Sequence, residues 1–157
     1  MAMGTFTLFD TVTLWEADGT GILQAANPFS MILDQSADAL TSSSASLYSN
    51  IAHELTTGNG YTVGGVSLTG VSITRAGAVT TFTWLGPNPD WSASGGGIPA
   101  WRWMVIYVNA TLNGHVNPLV GFCLGDGTNI DVPLTPSGTT ISILPTGSGL
   151  ITITHTP

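Results

Sequence analysis

The chain has 157 residues, of which 43% are hydrophobic and only 7% are charged, and its formal net charge is −7. Soluble domains average about 25% charged residues, so the surface is unusually poor in charge. Two arginines and no lysine cannot supply the basic footprint that nucleic-acid or anionic-membrane binding needs, and a single cysteine excludes an internal disulfide.

The N-terminal third gives mixed signals. Apolar residues alternate loosely over Thr5–Trp15, which predicts either a strand or a short helix. The apolar run Phe29–Leu33 predicts a buried strand. Apolar residues spaced four apart in Leu47–Leu55 predict one or two helical turns. Residues 1–28 are interpreted as an extended N-terminal segment that contacts neighbouring molecules.

From Tyr61 onward the apolar period is two, which indicates strands joined by turns rich in Gly and Pro. The strongest candidate is Ala100–Val108, which is apolar on both faces and should lie centrally in a sheet covered on both sides. Strands at intervals of about 8–12 residues predict an all-β, mainly antiparallel fold, a β-sandwich or jelly-roll-like domain with one short helix. The length predicts a single domain, residues 1–157. Further strands are predicted at Val63–Ile73, Val79–Trp84, Leu119–Leu124, Ile130–Val132, Thr139–Leu144 and Gly149–Thr154, with a hairpin turn at Ala76-Gly77.

Residues that carry chemistry are sparse. His53, His115 and His155 have none of the spacings of a zinc site. The sequence has no Gly-x-Ser-x-Gly nucleophile elbow, and a phosphate-binding P-loop is impossible without lysine. We therefore expect a protein that is not an enzyme and that uses no cofactor.

One group of oxygen-bearing side chains is a weak candidate for a metal site. Asp126, Asn129 and Asp131 follow one another closely around a Gly-rich turn and could offer oxygens to Ca²⁺. The group lacks the EF-hand register and its terminal bidentate glutamate. Capping of the turn by Asp126 and Asn129 is the favoured interpretation, and no metal is predicted.

Two further polar residues have alternative interpretations. Asp90 and Trp91 on a loop could form a sugar-binding platform, although a tryptophan that anchors the loop to the core is the commoner case. Arg102 lies among apolar neighbours, and a buried guanidinium needs a carboxylate or several carbonyl groups. We predict a structural ion pair between Arg102 and Asp90 or Asp34, with a ligand-facing arginine as the alternative.

Two blocks of the sequence carry a resemblance. Thr57–Val66 reads TGNGYTVGGV, and Trp91–Tyr107 reads WSASGGGIPAWRWMVIY. Both blocks resemble those of a widespread group of small virion proteins of tailed bacteriophages, and the resemblance extends from about Phe29 to Thr154. It implies a structural component of a phage particle, and within that group we favour a capsid decoration (cement) protein.

The resemblance also implies a location and partners. The expected location is the outer capsid surface of the virion, and the expected partners are the major capsid protein and further copies of this chain, as a trimer or a dimer. No nucleic acid and no membrane is expected. The alternatives are a tail or head-fibre component that binds a host-surface glycan and a free carbohydrate-binding module. The predicted interface residues are Phe6, Leu8, Trp15 and Trp91.

Overall fold

The structure is a computed structural model and describes residues 3–76, 79–144 and 151–154. It confirms the predicted all-β, mainly antiparallel fold with one short helix. Two single-turn 3₁₀ helices, Ser36–Asp38 and Tyr48–Asn50, lie between the second and third strands. In chain order the other elements are β1 (Thr7–Leu8), α1 (Asp10–Ala17), β2 (Phe29–Asp34), β3 (Val66–Ser67), β4 (Val71–Ala76), β5 (Val79–Trp84), β6 (Asp90–Ser92), β7 (Trp103–Val108), β8 (Thr111–Leu112), β9 (His115–Val116), β10 (Leu119–Leu124), β11 (Thr140–Ser142) and β12 (Ile151–Thr154).

The largest sheet has the antiparallel strand order β1-β10-β7-β2-β3. Its central strand β7 lies within the predicted Ala100–Val108 strand, and all six of its residues are buried. Strand β2 pairs with β7 from Phe29 opposite Val108 to Asp34 opposite Trp103, and all six of its residues are buried as well. Smaller sheets have the orders β12-β5-β4, β11-β6 and β8-β9.

Both faces of the central sheet are covered by other parts of the chain. Successive residues of a strand point to opposite faces, so neighbouring residues belong to different clusters. Met31 and Ile106 face one side and belong to a cluster that includes side chains from β5 and β6. Ile32 and Val105 face the other side and belong to a second cluster with α1 and the 40–51 segment. The first cluster also contains Phe82, Trp84, Trp91 and Trp101, and the second contains Phe9, Val12, Leu40, Ala45 and Tyr107.

The predicted helical turns at Leu47–Leu55 are largely wrong. Only Tyr48–Asn50 turns, and the backbone is already extended at Ile51. The four-residue spacing arises from burial on two different faces, because Ile51 packs against the cluster beside α1 while Leu55 lies fully buried in the other cluster. The helix of the fold is α1, within the segment for which a strand or a short helix was predicted.

Residues 3–28 are not extended throughout, and the contact of residues 1–28 with neighbouring molecules stays a prediction. Within residues 3–28, β1 adds to the edge of the central sheet beside β10, and α1 buries Val12 and Trp15. Phe9, between these two elements, is fully buried against Phe122. Most apolar side chains of this segment therefore pack on the core of their own chain, whereas Leu14 is exposed.

Three smaller predictions, one in the middle of the chain and two towards its C-terminal end, have different outcomes. The predicted strand Ile130–Val132 is reduced to a one-residue bridge between Val132 and Trp101. Strand β12 pairs with β5, as part of the predicted Gly149–Thr154 strand. The residues before it, 145–150, and the second residue of the predicted Ala76-Gly77 turn lie outside the described residues.

Candidate functional site

Glu54 is the centre of a hydrogen-bond network at one end of β2. Its Oε1 accepts bonds from the Tyr61 hydroxyl at 2.8 Å and from the Gly64 N–H at 2.7 Å, and its Oε2 accepts one from the Tyr48 hydroxyl. The Tyr61 hydroxyl also accepts a bond from the Leu33 N–H at 3.1 Å. One carboxylate therefore joins the 48–50 turn, the 58–64 loop and the central sheet.

The paired glycines of the first block lie directly on β2. Gly65 has φ +68°, and a Cβ on it would lie 1.9 Å from the carbonyl oxygen of Met31. The Tyr107 hydroxyl donates to the Gly64 carbonyl oxygen at 3.0 Å from the neighbouring strand β7. Glycine is needed at position 65 both for its backbone conformation and for the close approach of two backbones.

The two sequence blocks that carry the resemblance contact each other. The Asn59 side-chain oxygen accepts a hydrogen bond from the Gly96 N–H at 3.2 Å, and the Ser94 N–H donates to the Asn59 carbonyl oxygen at 3.0 Å. A Cβ on Gly60, which has φ +95°, would lie 2.0 Å from the carbonyl oxygen of Ser92. The residues between Asn59 and Gly65 therefore tie the 92–96 loop to the central sheet.

A second polar group begins at Asp34, the last residue of β2. Asp34 is 0% exposed, and neither carboxylate oxygen accepts a hydrogen bond from any described residue. Burial raises the pKa of Asp34 to about 8, and the negative charges of Asp38 and Glu54 contribute in the same direction. Asp34 therefore carries a proton at neutral pH.

Asp38, by contrast, accepts several local hydrogen bonds, although its side chain is only 7% exposed. Its Oδ2 accepts from the Ala52 N–H at 2.8 Å and the His53 N–H at 2.9 Å, and its Oδ1 lies 2.5 Å from Nδ1 of His53. Burial alone raises the pKa of Asp38, but the hydrogen bonds from His53 outweigh that effect, and the net shift is downward. Asp38 is therefore ionised beside a protonated Asp34.

The Glu54 network and the Asp34–Asp38 pair are both suited to hydrogen bonding. Burial raises the pKa values of Tyr48, Tyr61 and Tyr107, so their hydroxyls stay protonated and act as donors. Within residues 3–76, 79–144 and 151–154, no three or more His, Cys, Asp or Glu side chains are grouped so that they could hold a metal ion.

The predicted partners of Arg102 are wrong. Its Nε lies 2.7 Å from Oδ1 of Asp131, and the two side chains are 26% and 42% exposed. Asp90 instead accepts a bond from the Ser142 hydroxyl, and Asp34 contacts Arg102 only through the Arg102 backbone N–H. Arg102 precedes β7 by one residue, where its side chain is partly exposed, and it pairs with a carboxylate that is also partly exposed.

The candidate metal ligands have separate partners. Asp126 accepts hydrogen bonds from the N–H and the hydroxyl of Thr128, at 2.9 and 2.6 Å. These bonds are those expected of a residue that caps the turn, which was the favoured interpretation for Asp126. Asn129 occupies the turn with φ +61°, and Asp131 pairs with Arg102. The carboxylates of Asp126 and Asp131 are thus used within the protein.

The predicted interface residues are partly wrong. Trp91 is 2% exposed and packs in the core beside Tyr61, so it neither forms a sugar platform nor presents a surface to a partner. Trp15 is 8% exposed and stacks on His115. Phe6 and Leu8 are partly buried against the core, and only their remaining exposed surface is accessible to a partner.

Sequence reasoning missed Glu54 and Asp38, and it considered Asp34 only as a partner of Arg102. The position of Glu54 in the sequence could have indicated its role, because it lies just before the first sequence block. A loop that folds back at this point brings Glu54 within hydrogen-bond distance of that block. Asp34 follows an apolar run and reads as the polar end of a strand. Nothing in its local sequence indicates that the 35–54 segment buries it.

No family model, no curated protein and no solved structure matches the chain. None of the helices that the structure describes is both long and apolar enough to cross a membrane.

Proposed function

We propose that this chain is a structural component of a tailed-phage particle, a capsid decoration protein that binds the outer face of the shell and the major capsid protein within it. The observation that carries the proposal is the structural role of the two sequence blocks that carry the resemblance. Their distinctive residues, Asn59, Tyr61 and the paired glycines, hold loops onto the central sheet. Such a fold is suited to present a fixed outer surface to neighbours.

The open edge of β4 supports contact with other chains. In the order β12-β5-β4, β4 pairs with β5 along all six residues without a bulge, and its other edge pairs with no described strand. A long, regular edge strand offers its backbone N–H and C=O groups to a further strand. Natural proteins often block such edges with proline or with several charged side chains, and β4 contains no proline and one charged residue, Arg75.

The surface chemistry is also consistent with this role. Among the residues whose burial the structure describes, seven large apolar side chains are more than half exposed. The full chain carries only eleven charged residues, two basic and nine acidic. A partly apolar surface is suited to binding protein, and many symmetric copies add small contacts into strong attachment. The exposed apolar residues are Leu14, Val63, Leu85, Val116, Ile130, Leu134 and Leu144.

The direct test is the position and copy number of the protein in purified particles. Cryo-electron microscopy and quantitative mass spectrometry should place hundreds of copies on the outer shell, in a fixed ratio to the major capsid protein. A few to tens of copies at the tail would contradict the decoration role, and absence from the particle would overturn the proposal.

A matched pair of variants tests the β4 edge. Thr74→Lys introduces a charge at an exposed position of β4, and Thr56→Lys makes the same change at an exposed position away from that strand. We expect Thr74→Lys to weaken rebinding to depleted particles about tenfold, a loss of about 1.4 kcal/mol per site, and Thr56→Lys to have little effect. Equal rebinding by both variants would exclude β4 from the contact.

No specific observation favours the glycan-binding alternatives. Their best candidate residue, Trp91, is buried, and aromatic recognition of a sugar requires an exposed ring face. Binding of a host-surface glycan by the isolated protein would favour a tail or head-fibre component over a decoration protein.

A further inference from the structure

We propose that Asp34 and Asp38 form a proton-operated latch, which holds the 35–54 segment on the central sheet while a proton is bound between the two carboxyl groups and loosens the segment when that proton leaves. This proposal goes beyond the proposed function and does not depend on it. The latch belongs to the fold of one chain and can be measured on the isolated protein.

The position of the Asp34 carboxyl group makes its protonation state important for the stability of the fold. Asp34 is fully buried at the last position of β2, and its carboxylate oxygens accept no hydrogen bond from the described residues. An ionised carboxylate with neither a donor nor a counter-charge is strongly disfavoured in such a place. A proton on Asp34 removes that charge, and the neighbouring Asp38 carboxylate can accept a hydrogen bond from it.

Asp38 connects the latch to the segment. Its carboxylate holds the N–H groups of Ala52 and His53 and the His53 ring, and the Gln35 N–H donates to the His53 carbonyl oxygen at 3.1 Å. The start and the end of the 35–54 segment are thus fastened to each other beside Asp34. A second negative charge on Asp34 would repel Asp38 at this junction.

Among the side chains that the structure describes, none donates a hydrogen bond to the Asp34 carboxylate. The Arg102 guanidinium is paired with Asp131, and Arg102 reaches Asp34 through its backbone N–H, which donates to the Asp34 backbone carbonyl oxygen. Glu54, opposite Asp34 in an antiparallel bridge, adds another negative charge. The titratable and charged groups around Asp34 are therefore Asp38, His53, Glu54, Tyr61, Arg102 and Asp131.

The sign of the pH dependence follows from linkage. The pKa of Asp34 is about 8 in the folded protein and 3.8 as an ordinary aspartate, so the folded state binds the extra proton between those values. Stability from this group is complete below about pH 4, falls as pH rises, and is lost once pH passes about 8. Asp38, whose pKa is lowered, acts in the opposite direction and only at lower pH.

Urea denaturation of the full chain at several pH values tests the latch, with Asp34→Asn as the main variant. An asparagine keeps the shape and can still donate to Asp38, but it cannot ionise. Relative to Asp34→Asn, the unfolding equilibrium constant of the wild type should rise by up to about tenfold per pH unit between about pH 4 and 8 and then level off. Asp126→Asn removes an exposed carboxylate and should keep the wild-type profile.

Hydrogen exchange supplies the local readout. Above about pH 8, after correction for intrinsic rates, the amides of Gln35, Ala52 and His53 should lose protection in the wild type and keep it in Asp34→Asn. Parallel pH profiles for the two proteins would overturn the proposal. So would a stabilisation by calcium or magnesium that Asp34→Asn abolishes, because the pair would then bind a metal ion instead of a proton.

A second measurement keeps the proposal testable if Asp34→Asn does not fold. Carbon-13 NMR of the aspartate carboxyl groups in the wild type should show one group that titrates near pH 8. The same signal in Asp38→Asn should titrate at lower pH, because the neighbouring negative charge is gone. If no carboxyl group titrates above pH 6, the proposal is wrong.

Discussion

The hydroxyl of Tyr61 donates a hydrogen bond to the carboxylate of Glu54 at 2.8 Å and so closes the 54–61 loop on itself. The same hydroxyl accepts a hydrogen bond from the N–H of Leu33, near the end of β2 in the central sheet. The bond therefore connects the first sequence block to β2, and it is the contact whose removal tests the network most directly.

We expect Tyr61→Phe to lower the free energy of unfolding by about 1–3 kcal/mol, because it leaves the buried Leu33 N–H unpaired and removes one donor from Glu54. Urea denaturation measures the loss. Tyr48→Phe is the matched control, since it removes another donor from Glu54 and leaves the Leu33 N–H paired. A loss from Tyr61→Phe no larger than that from Tyr48→Phe would contradict this account.

Glycine substitutions separate backbone strain from steric overlap. Gly65 and Gly19 both have positive φ, but a Cβ on Gly65 would overlap the Met31 carbonyl oxygen, whereas a Cβ on Gly19 meets nothing within 4 Å. Gly65→Ala should therefore cost more than about 3 kcal/mol or prevent folding, and Gly19→Ala only about 1 kcal/mol. Thermal and urea unfolding of both variants provide the comparison, and similar losses would refute the proposed contact of the loop with β2.

The Arg102–Asp131 pair should behave as a surface ion pair. Both side chains are partly exposed, so solvent screens their attraction. A double-mutant cycle with Arg102→Met and Asp131→Asn should give a coupling energy below about 1 kcal/mol, which decreases at high salt. A coupling of several kcal/mol that is independent of salt would show that the pair behaves as a buried one.

Cys123 should report global unfolding. Its thiol is buried, and burial raises its pKa to about 12, so little thiolate forms in the folded protein at pH 8. Alkylation should be slow in native buffer and should accelerate in urea in parallel with unfolding. Rapid alkylation of the native protein would mean that the β7–β10 pairing opens locally.

Much of the strand arrangement was predictable from local patterns. Phe29–Leu33 and Ala100–Val108 stand out because a strand that is covered on both faces must be apolar at nearly every position. The prediction at Leu47–Leu55 failed because one spacing fits two environments: apolar residues four apart can lie on one helix face or be buried in two separate clusters.

The candidate site was predictable only in part. The first block was recognised by its glycines, but Glu54, Asp34 and Asp38 became notable only through contacts made after folding. Arg102 shows the same limit, because the sequence offered several carboxylates and gave no basis for choosing Asp131.

The sequence by itself determined that the chain forms a β-rich, acidic domain, because composition and apolar period act locally and are independent of the path of the chain. The tertiary structure alone decided which carboxyl group is buried without a donor and which is satisfied. That choice separates Asp34 from Asp38, four residues apart, because desolvation depends on everything that packs around a group and not on its neighbours in sequence.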